Sequence, residues 1–274
     1  MKKIFITGIL SLALFSLVQA QDRVFKLSKK IGTLKITLSS IKVEGYDGNE
    51  IIFSMPERKD EAKDERAQGL KLISGSGRTD NTGLGISVED KENTVEVAYV
   101  SRTNRDPLTI KVPNSMSIRI STSDVVNAKS IDVKNFKGEL EIGAVYNTVS
   151  LENVTGPINA KTIYGSMTAK FSQAVKGPIS LISVYKFVDV TIPSNLKANV
   201  SLSTQYGNVF AADGLDIKRE AVKPNKRGGD EDDDEDMAGM TDWSRSSDIK
   251  GTLNGGGLDL IVKSSYGKIY LRKE

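Results

Sequence analysis

A repeat of about 20 residues, marked by a tyrosine, constrains this chain more than any other feature of its sequence. Small or apolar residues stand two, four and six positions before the tyrosine, and apolar residues stand three and five positions after it. The residues between them are mostly polar, which is the pattern of strands that bury one face. Five copies align on Tyr146, Tyr164, Tyr185, Tyr206 and Tyr266.

Repeats of this length that contain only strand and turn signals are typical of β-solenoids. A propeller blade needs about 40 residues, and the consensus of a leucine-rich repeat is absent. One repeat would form one coil, which buries its apolar side against the coils above and below it. We therefore predict an all-β protein with a single-stranded β-helix or β-solenoid-like domain over residues 21–274 and coils of about 20 residues.

The tyrosine is predicted to lie at a corner of the coil. Inward positions have even offsets before it and odd offsets after it, so the chain must bend there because side chains alternate faces along a strand. The next residue is Asn147, Gly165, Gly207 or Gly267, all types that tolerate positive φ, whereas Lys186 departs from the pattern. The small residue two positions earlier would leave space at the corner.

The first 20 residues have the features of a secretory signal peptide. Lys2 and Lys3 precede an apolar run over residues 4–18, and small residues lead to a cleavage site after Ala20. The run is too short to cross a membrane comfortably, and no other stretch is long and apolar enough. We expect an exported mature chain without a membrane span, located in the periplasm or at the cell surface and beyond.

Composition excludes several classes of function. The chain has no cysteine and no histidine, which excludes Ser–His and Cys–His nucleophilic catalysis and nearly excludes ordinary zinc sites. Its net charge of +3 falls to about +1 once Lys2 and Lys3 leave with the signal peptide, so a nucleic-acid partner is not indicated. The absence of cysteine also excludes disulfides and a lipid anchor at the cleavage site.

Residues 216–250 interrupt the repeat and are predicted to form a flexible acidic insertion. Residues 230–236 are seven consecutive acids, and the single tryptophan, Trp243, follows them. Clustered carboxylates could hold Ca²⁺, and the candidate ligands are Asp230, Asp232, Asp234 and Asp236. A plain acidic run lacks the turn residues of a calcium loop and usually stays solvated, so no metal or cofactor is predicted and Ca²⁺ is the alternative.

Three stretches resemble the bacterial exported "putative adhesin" β-strand-repeat family, a domain of unknown function. They are "IKVEGYDGNEIIF" at 41–53, "VTIPSNLKANVSLSTQYGNV" at 190–209 and "IKVPNSMSIRISTSDV" at 110–125, where Asp124 replaces the tyrosine. The resemblance covers most of the mature chain. It implies a β-solenoid-like fold and an exported, envelope-associated protein, and it offers no catalytic residues to carry over.

The tyrosines and the carboxylates allow more than one function. Mutual stacking of the tyrosines at a corner explains their period, and stacking on the sugar rings of a ligand is the alternative. Glu139, Glu141, Glu152 and Asp189 are outward and scattered, so a structural or solubilising role is favoured for them.

We therefore predict a non-enzymatic structural or adhesion module whose partner is an unknown protein or glycan of the cell envelope. The alternatives are a carbohydrate-active β-helix enzyme that uses carboxylates, and an envelope accessory or sensor protein that acts through its acidic loop. The oligomeric state is left open.

Overall fold

The computed structural model describes residues 22–56, 65–70, 73–100, 108–125, 128–219 and 247–274. The predicted signal peptide, the acidic run 230–236 and Trp243 lie outside these ranges. The described part of the chain contains 21 strands, and its only helical element is a short 3₁₀ turn at Glu65–Ala67. No helix within it is long and apolar enough to cross a membrane.

The strands form two sheets. The first has ten strands in the order β1 (Arg23–Leu27), β4 (Ile51–Met55), β7 (Leu108–Pro113), β3 (Ile41–Tyr46), β9 (Ile131–Lys134), β11 (Val149–Glu152), β13 (Met167–Lys170), β15 (Val188–Ile192), β21 (Ile269–Lys273) and β17 (Val209–Ala211). The second has eleven in the order β18 (Ile217–Arg219), β19 (Ser247–Leu253), β16 (Ala198–Thr204), β20 (Leu258–Ser264), β14 (Ile179–Ser183), β12 (Ile158–Thr162), β10 (Leu140–Ala144), β8 (Ser117–Thr122), β2 (Thr33–Ile36), β6 (Thr94–Tyr99) and β5 (Ile86–Lys91).

From β8 to β17 the chain alternates between the sheets, and each strand pairs in parallel with its counterpart in the neighbouring repeat. Leu140 lies beside Ile158, and Ile158 beside Ile179. We use the word rung for a unit of three parts. It consists of a strand of the second sheet, the tyrosine corner or equivalent turn that follows it, and the next strand, which belongs to the first sheet. Antiparallel pairs occur at the ends, where β1 and β4, β5, and β18 and β19 flank the rungs. The predicted all-β class is confirmed, with two mixed sheets.

The core lies between the two sheets and is built from the inward positions of the repeat. Inward residues of the central rungs, such as Leu181 and Val190, are fully buried. Val209 and Ala211 occupy the corresponding positions of β17. Val209 is partly exposed and Ala211 is exposed, because β17 is the edge strand of the first sheet. The predicted alternation therefore holds in the interior rungs and weakens at the edge.

The rungs do not stack in chain order. The last rung, β20–β21, lies between β14–β15 and β16–β17 and pairs in parallel with both. The first rung, β2–β3, likewise lies between β8–β9 and β6–β7. The rungs therefore depart from chain order at both ends, which is possible because every rung presents a compatible apolar face and strand edge to any other rung.

Outward charges on the first sheet agree with this order. The spatial sequence Lys111, Glu44, Lys134, Glu152, Lys170 alternates in sign along one column, with Lys111–Glu44 at 3.7 Å and Lys134–Glu152 at 2.6 Å. Chain order would instead place Lys111 beside Lys134, and like charges on adjacent strands destabilise a sheet. The inserted position of β3 therefore supplies the acid that separates two lysines.

The inserted last rung can be tested with one core substitution. Leu260→Ala should lower the free energy of unfolding by about 2–5 kcal/mol, because Leu260 is fully buried between rungs on both sides. Leu258→Ala, in the same strand but only partly buried, is the matched control and should cost clearly less. Chemical denaturation measures both, and equal small losses would contradict the central position of β20.

Candidate binding surface

The five tyrosines form a continuous ladder along one corner of the two sheets. Neighbouring ring centroids are 4.8–5.1 Å apart and neighbouring ring planes differ by 4–15°, in the order Tyr146, Tyr164, Tyr185, Tyr266, Tyr206. The ring spacing is close to the distance of about 4.7–4.9 Å between hydrogen-bonded strands. The rings are 38–52 % exposed, so their edges form a stripe on the surface while their faces cover one another.

Backbone hydrogen bonds hold the ladder in register. The amide of Tyr164 donates to the carbonyl oxygen of Val145 at 2.7 Å, and the amide of Tyr185 donates to that of Ile163 at 3.0 Å. The amide of Tyr266 donates to Val184 on the neighbouring rung in the same way, at 2.9 Å. The ladder spacing is therefore set by the backbone and does not depend on ring stacking alone.

A row of buried hydroxyls lies directly behind the tyrosines. Each hydroxyl donates to a backbone carbonyl of the adjacent rung at 2.8–3.1 Å and accepts from the amide three residues later at 2.9–3.2 Å. The residues are Thr162, Ser183, Ser264 and Thr204, all fully buried. The sequence predicted only a small residue here. The signal it held was that four of the five repeats have Ser or Thr at this position.

The first repeat satisfies the same corner in another way. Ala144 stands at the hydroxyl position and has no polar group. The side chain of Asn147, one residue after its tyrosine, is fully buried and donates to the carbonyl oxygens of Ser39 and Lys129 at 2.5 and 2.8 Å. Asn147 thus ties the start of the ladder to the preceding rungs.

The predicted reason for glycine after the tyrosine is wrong. Gly165, Gly207 and Gly267 are not among the described residues with positive φ. An added Cβ on them would lie only 1.8, 1.9 and 2.1 Å, respectively, from a carbonyl oxygen of the adjacent rung. Glycine is needed here because two backbones approach closely, and the conformation itself is open to other residues.

Positive φ occurs instead in the turn at the opposite side of the rungs. Asn135 and Asn153 follow β9 and β11 and both have φ of 53°. Asparagine adopts this left-handed conformation more readily than most residues. The two turns of a rung therefore use different devices, which the sequence pattern alone did not separate.

Replacing a corner hydroxyl tests the row behind the ladder. Thr162→Val keeps the shape but leaves the carbonyl of Asn147 and the amide of Gly165 without this partner, so it should cost about 1–3 kcal/mol of unfolding free energy. Thr168→Val, exposed on β13, is the matched control and should change stability by less than about 0.5 kcal/mol. Equal effects in thermal or chemical denaturation would show that the buried hydroxyl contributes nothing specific.

Glycine substitutions separate close approach from conformation. Gly165→Ala should destabilise the fold by about 1–3 kcal/mol, because its Cβ would lie 1.8 Å from the carbonyl oxygen of Asn147. Gly143→Ala, in β10 of the neighbouring rung, meets no atom within 4 Å and should be neutral or stabilising by up to about 1 kcal/mol. Urea denaturation of both variants checks the prediction, and a tolerated Gly165→Ala would refute the close approach.

A second aromatic group extends the exposed surface onto the first sheet. Phe210 stacks on Tyr270 with centroids 5.4 Å apart, and Phe187 meets Tyr270 edge-on at 6.3 Å. Phe187 and Phe210 are 40 % and 47 % exposed. The repeat pattern did not predict this group, because only two repeats have an aromatic residue four positions after the tyrosine, Phe210 and Tyr270, and Phe187 stands at a different offset of two.

Four exposed lysines border the ladder: Lys161, Lys186, Lys263 and Lys268. None of them forms a salt bridge within the ranges that the structure describes, although Lys268 lies 6.0 Å from the centre of the Phe210 ring. Outward cations elsewhere on the sheets are often paired, as Arg119 is with Glu141 at 2.6 Å. The four lysines therefore make the surface along the ladder positive, since the five tyrosine turns contain no Asp or Glu.

At one end of the ladder the surface is hollow. A shallow depression of about 300 Å³ is lined by Ser121–Ser123, Gly143–Val145, Lys161 and Ile163. It exists because Gly143 presents no side chain on the outward face of β10. One of the four lysines thus stands in its wall.

The four carboxylates that sequence analysis considered for catalysis lie outside this surface or form ion pairs. Glu141 pairs with Arg119, Glu152 pairs with Lys134 at 2.6 Å, and Asp189 accepts two hydrogen bonds from Arg272 at 2.7 and 2.9 Å. The hydrogen bond from Lys134 holds the pKa of Glu152 below its usual range. A general acid requires a shift in the opposite direction. Glu139 is exposed beside β10.

The candidate calcium ligands Asp230, Asp232, Asp234 and Asp236 lie outside the described residues. Within the described ranges no group of three or more acidic side chains could hold a metal ion.

Comparison with known proteins gives weak structural similarities only. No family model and no curated protein matches the chain. A solved "putative cell adhesion protein" from Clostridium sporogenes aligns with 93 % of this chain and 100 % of its own at 10 % identity and a TM-score of 0.43. A "putative adhesin" from Bacteroides fragilis aligns with 93 % of this chain and 98 % of its own at 8 % identity and a TM-score of 0.34. With values this low, function has to be inferred from the chain itself.

Proposed function

We propose that this chain is an exported, non-enzymatic β-repeat module of the bacterial cell envelope that binds a partner through its tyrosine ladder. The observation that carries the proposal is the exposure of five aligned tyrosine rings on a hydrogen-bonded backbone. Aromatic rings held in this way offer a large contact area at little entropic cost, which favours recognition.

The rungs are best interpreted as coils of a two-sided β-solenoid. Strands alternate between the sheets, and parallel register joins each coil to the next, as in the pairs of β11 with β13 and of β13 with β15. Such a body presents one long side to a partner with a regular repeat. A linear or extended partner therefore suits it better than a small compact one.

The geometry of the ladder restricts how a partner is held. The faces of the inner rings are occupied by their neighbours, so a ligand meets ring edges and the row of phenolic hydroxyls. Hydroxyls at intervals of about 5 Å can donate and accept hydrogen bonds along an extended polymer. Stacking of sugar rings on tyrosine faces is thus restricted to the two ends, at Tyr146 and Tyr206.

Further observations support a binding role without catalysis, and they also support export of the chain. The chain has no histidine or cysteine, and Glu141, Glu152 and Asp189 are each held by a cation. The signal-peptide features of residues 1–20 support export. A chain without cysteine is also indifferent to an oxidising compartment.

Substitution within the ladder tests the proposed surface. The mature chain, residues 21–274, is applied to an array of glycans and extracellular proteins beside the double variant Tyr185→Phe/Tyr266→Phe, which keeps the ring stack and removes two hydroxyls. We expect a bound ligand whose affinity falls about tenfold in the variant, which corresponds to about 1.4 kcal/mol.

The matched control is Ser150→Ala/Thr168→Ala, on the outward face of the first sheet away from the ladder, and it should bind like the wild type. Melting temperatures of all three proteins establish that the fold is intact. A panel without any bound ligand, or a ladder variant that binds like the wild type, would refute the proposed function.

A further inference from the structure

The charges around the tyrosine ladder identify the chemistry of a ligand. Lys161 and Lys263 stand three residues before their tyrosines, on the outward face of the second sheet, with Ile182 between them in the register. Lys186 and Lys268 follow their tyrosines by one and two residues, towards the first sheet. Cations therefore border the ladder on both sides.

The five tyrosine turns contain no acid to compensate these cations. The acid beside them is Asp124, which stands at the tyrosine position of the neighbouring β8 rung and accepts a hydrogen bond from Ser39 at 3.3 Å. The turns at 145–148, 163–166, 184–187, 205–208 and 265–268 have no Asp or Glu. The nearest outward acid on the first sheet, Asp189, is already occupied by Arg272. Asp248 lies on β19, opposite Ser203 of β16 and beyond the last rung of the ladder. Unpaired like charges raise the local potential, and an anionic ligand would lower it.

The shape of the surface favours a linear ligand. Four ring-to-ring steps of 4.8–5.1 Å extend the ladder over about 20 Å. Lys161 and Lys263 are two strand spacings apart, or about 10 Å. A polymer lying along the corner would meet hydroxyls at every rung and a lysine at either edge. It could continue into the depression beside Lys161.

The stacking geometry distinguishes between linear polyanions. Proteins that bind single-stranded nucleic acid need free aromatic faces on which bases can stack. Here the inner faces are covered by neighbouring rings at about 5 Å. Ring edges and phenolic hydroxyls remain, and they suit a ligand rich in hydroxyl groups. Carboxylates on such a ligand would pair with the lysines.

On these grounds we propose that the tyrosine ladder and its four lysines bind a linear acidic polysaccharide, one whose sugars bear carboxylate groups. The proposal rests on the proposed function and names the class of ligand for the same surface. Hydroxyls of the polymer meet the tyrosine edges, and its carboxylates pair with lysines on either side of the ladder.

A matched pair of polymers provides the test. Polygalacturonate and its methyl-esterified form share one backbone and differ in charge, and binding of the mature chain to each is measured by biolayer interferometry at low, physiological and high salt. We expect the acidic form to bind at least tenfold more tightly, with an affinity that falls as salt rises. Equal binding of both forms would overturn the role of charge.

Variants locate the binding. Lys161→Gln/Lys263→Gln should lower affinity for polygalacturonate at least tenfold at unchanged melting temperature. Lys111→Gln/Lys134→Gln, which removes two lysines already paired with Glu44 and Glu152, is the matched control and should have little effect. Equal losses in the two variants would show attraction by general charge and would overturn the assignment to the ladder.

Two further results would also overturn the proposal. Tight binding of single-stranded DNA of matched charge would indicate a general polyanion surface. Binding that appears only after residues 230–236 are neutralised would indicate that the chain's own acidic run occupies the lysines. If the array in the preceding section yields a ligand that requires Tyr185 and Tyr266 while polygalacturonate does not bind, the proposed function stands and only the ligand class fails.

Discussion

The hydrogen bonds between successive rungs are the constraint on which the rest of the structure depends. They fix neighbouring rungs at one strand spacing and align equivalent residues of each repeat, so that Leu140, Ile158 and Ile179 lie side by side. A residue type that recurs at one position of the repeat therefore forms a column across neighbouring rungs. Apolar columns form the core, hydroxyl columns close the corner, and aromatic columns form the exposed stripe.

The same spacing imposes a cost on charge, since identical ions in a column would repel at close range. On the first sheet the charges of neighbouring strands alternate in sign, as in the run from Lys111 through Glu44 to Lys134. The corner does not follow this rule. Lysines there stand beside rings and hydroxyls in five turns that contain no acid, and this local exception distinguishes the ladder from the ion-paired faces around it.

Much of this could be predicted from the sequence, because a period of about 20 residues with a parity change at Tyr164 requires inward strands joined at a corner. Three features could not. The order of the rungs is not encoded in the repeat, since Leu260 fits beside Ile179 as well as Val200 would. The sequence shows Gly165 but not whether its φ or its missing Cβ matters. Phe187 and Phe210 become neighbours of Tyr270 only through the inserted last rung.

The inserted position of the β20–β21 rung also constrains the order in which the strands can pair during folding. A ribosome makes residues 258–273 after both neighbouring rungs, yet these residues occupy the gap between them. Until they arrive, β14 and β16 lack the strand that joins them, and both sheets have open edges. The first rung must likewise wait for β6 to β9. The two sheets reach their native topology only after residue 273 has been made, as we expect for the exported protein proposed above.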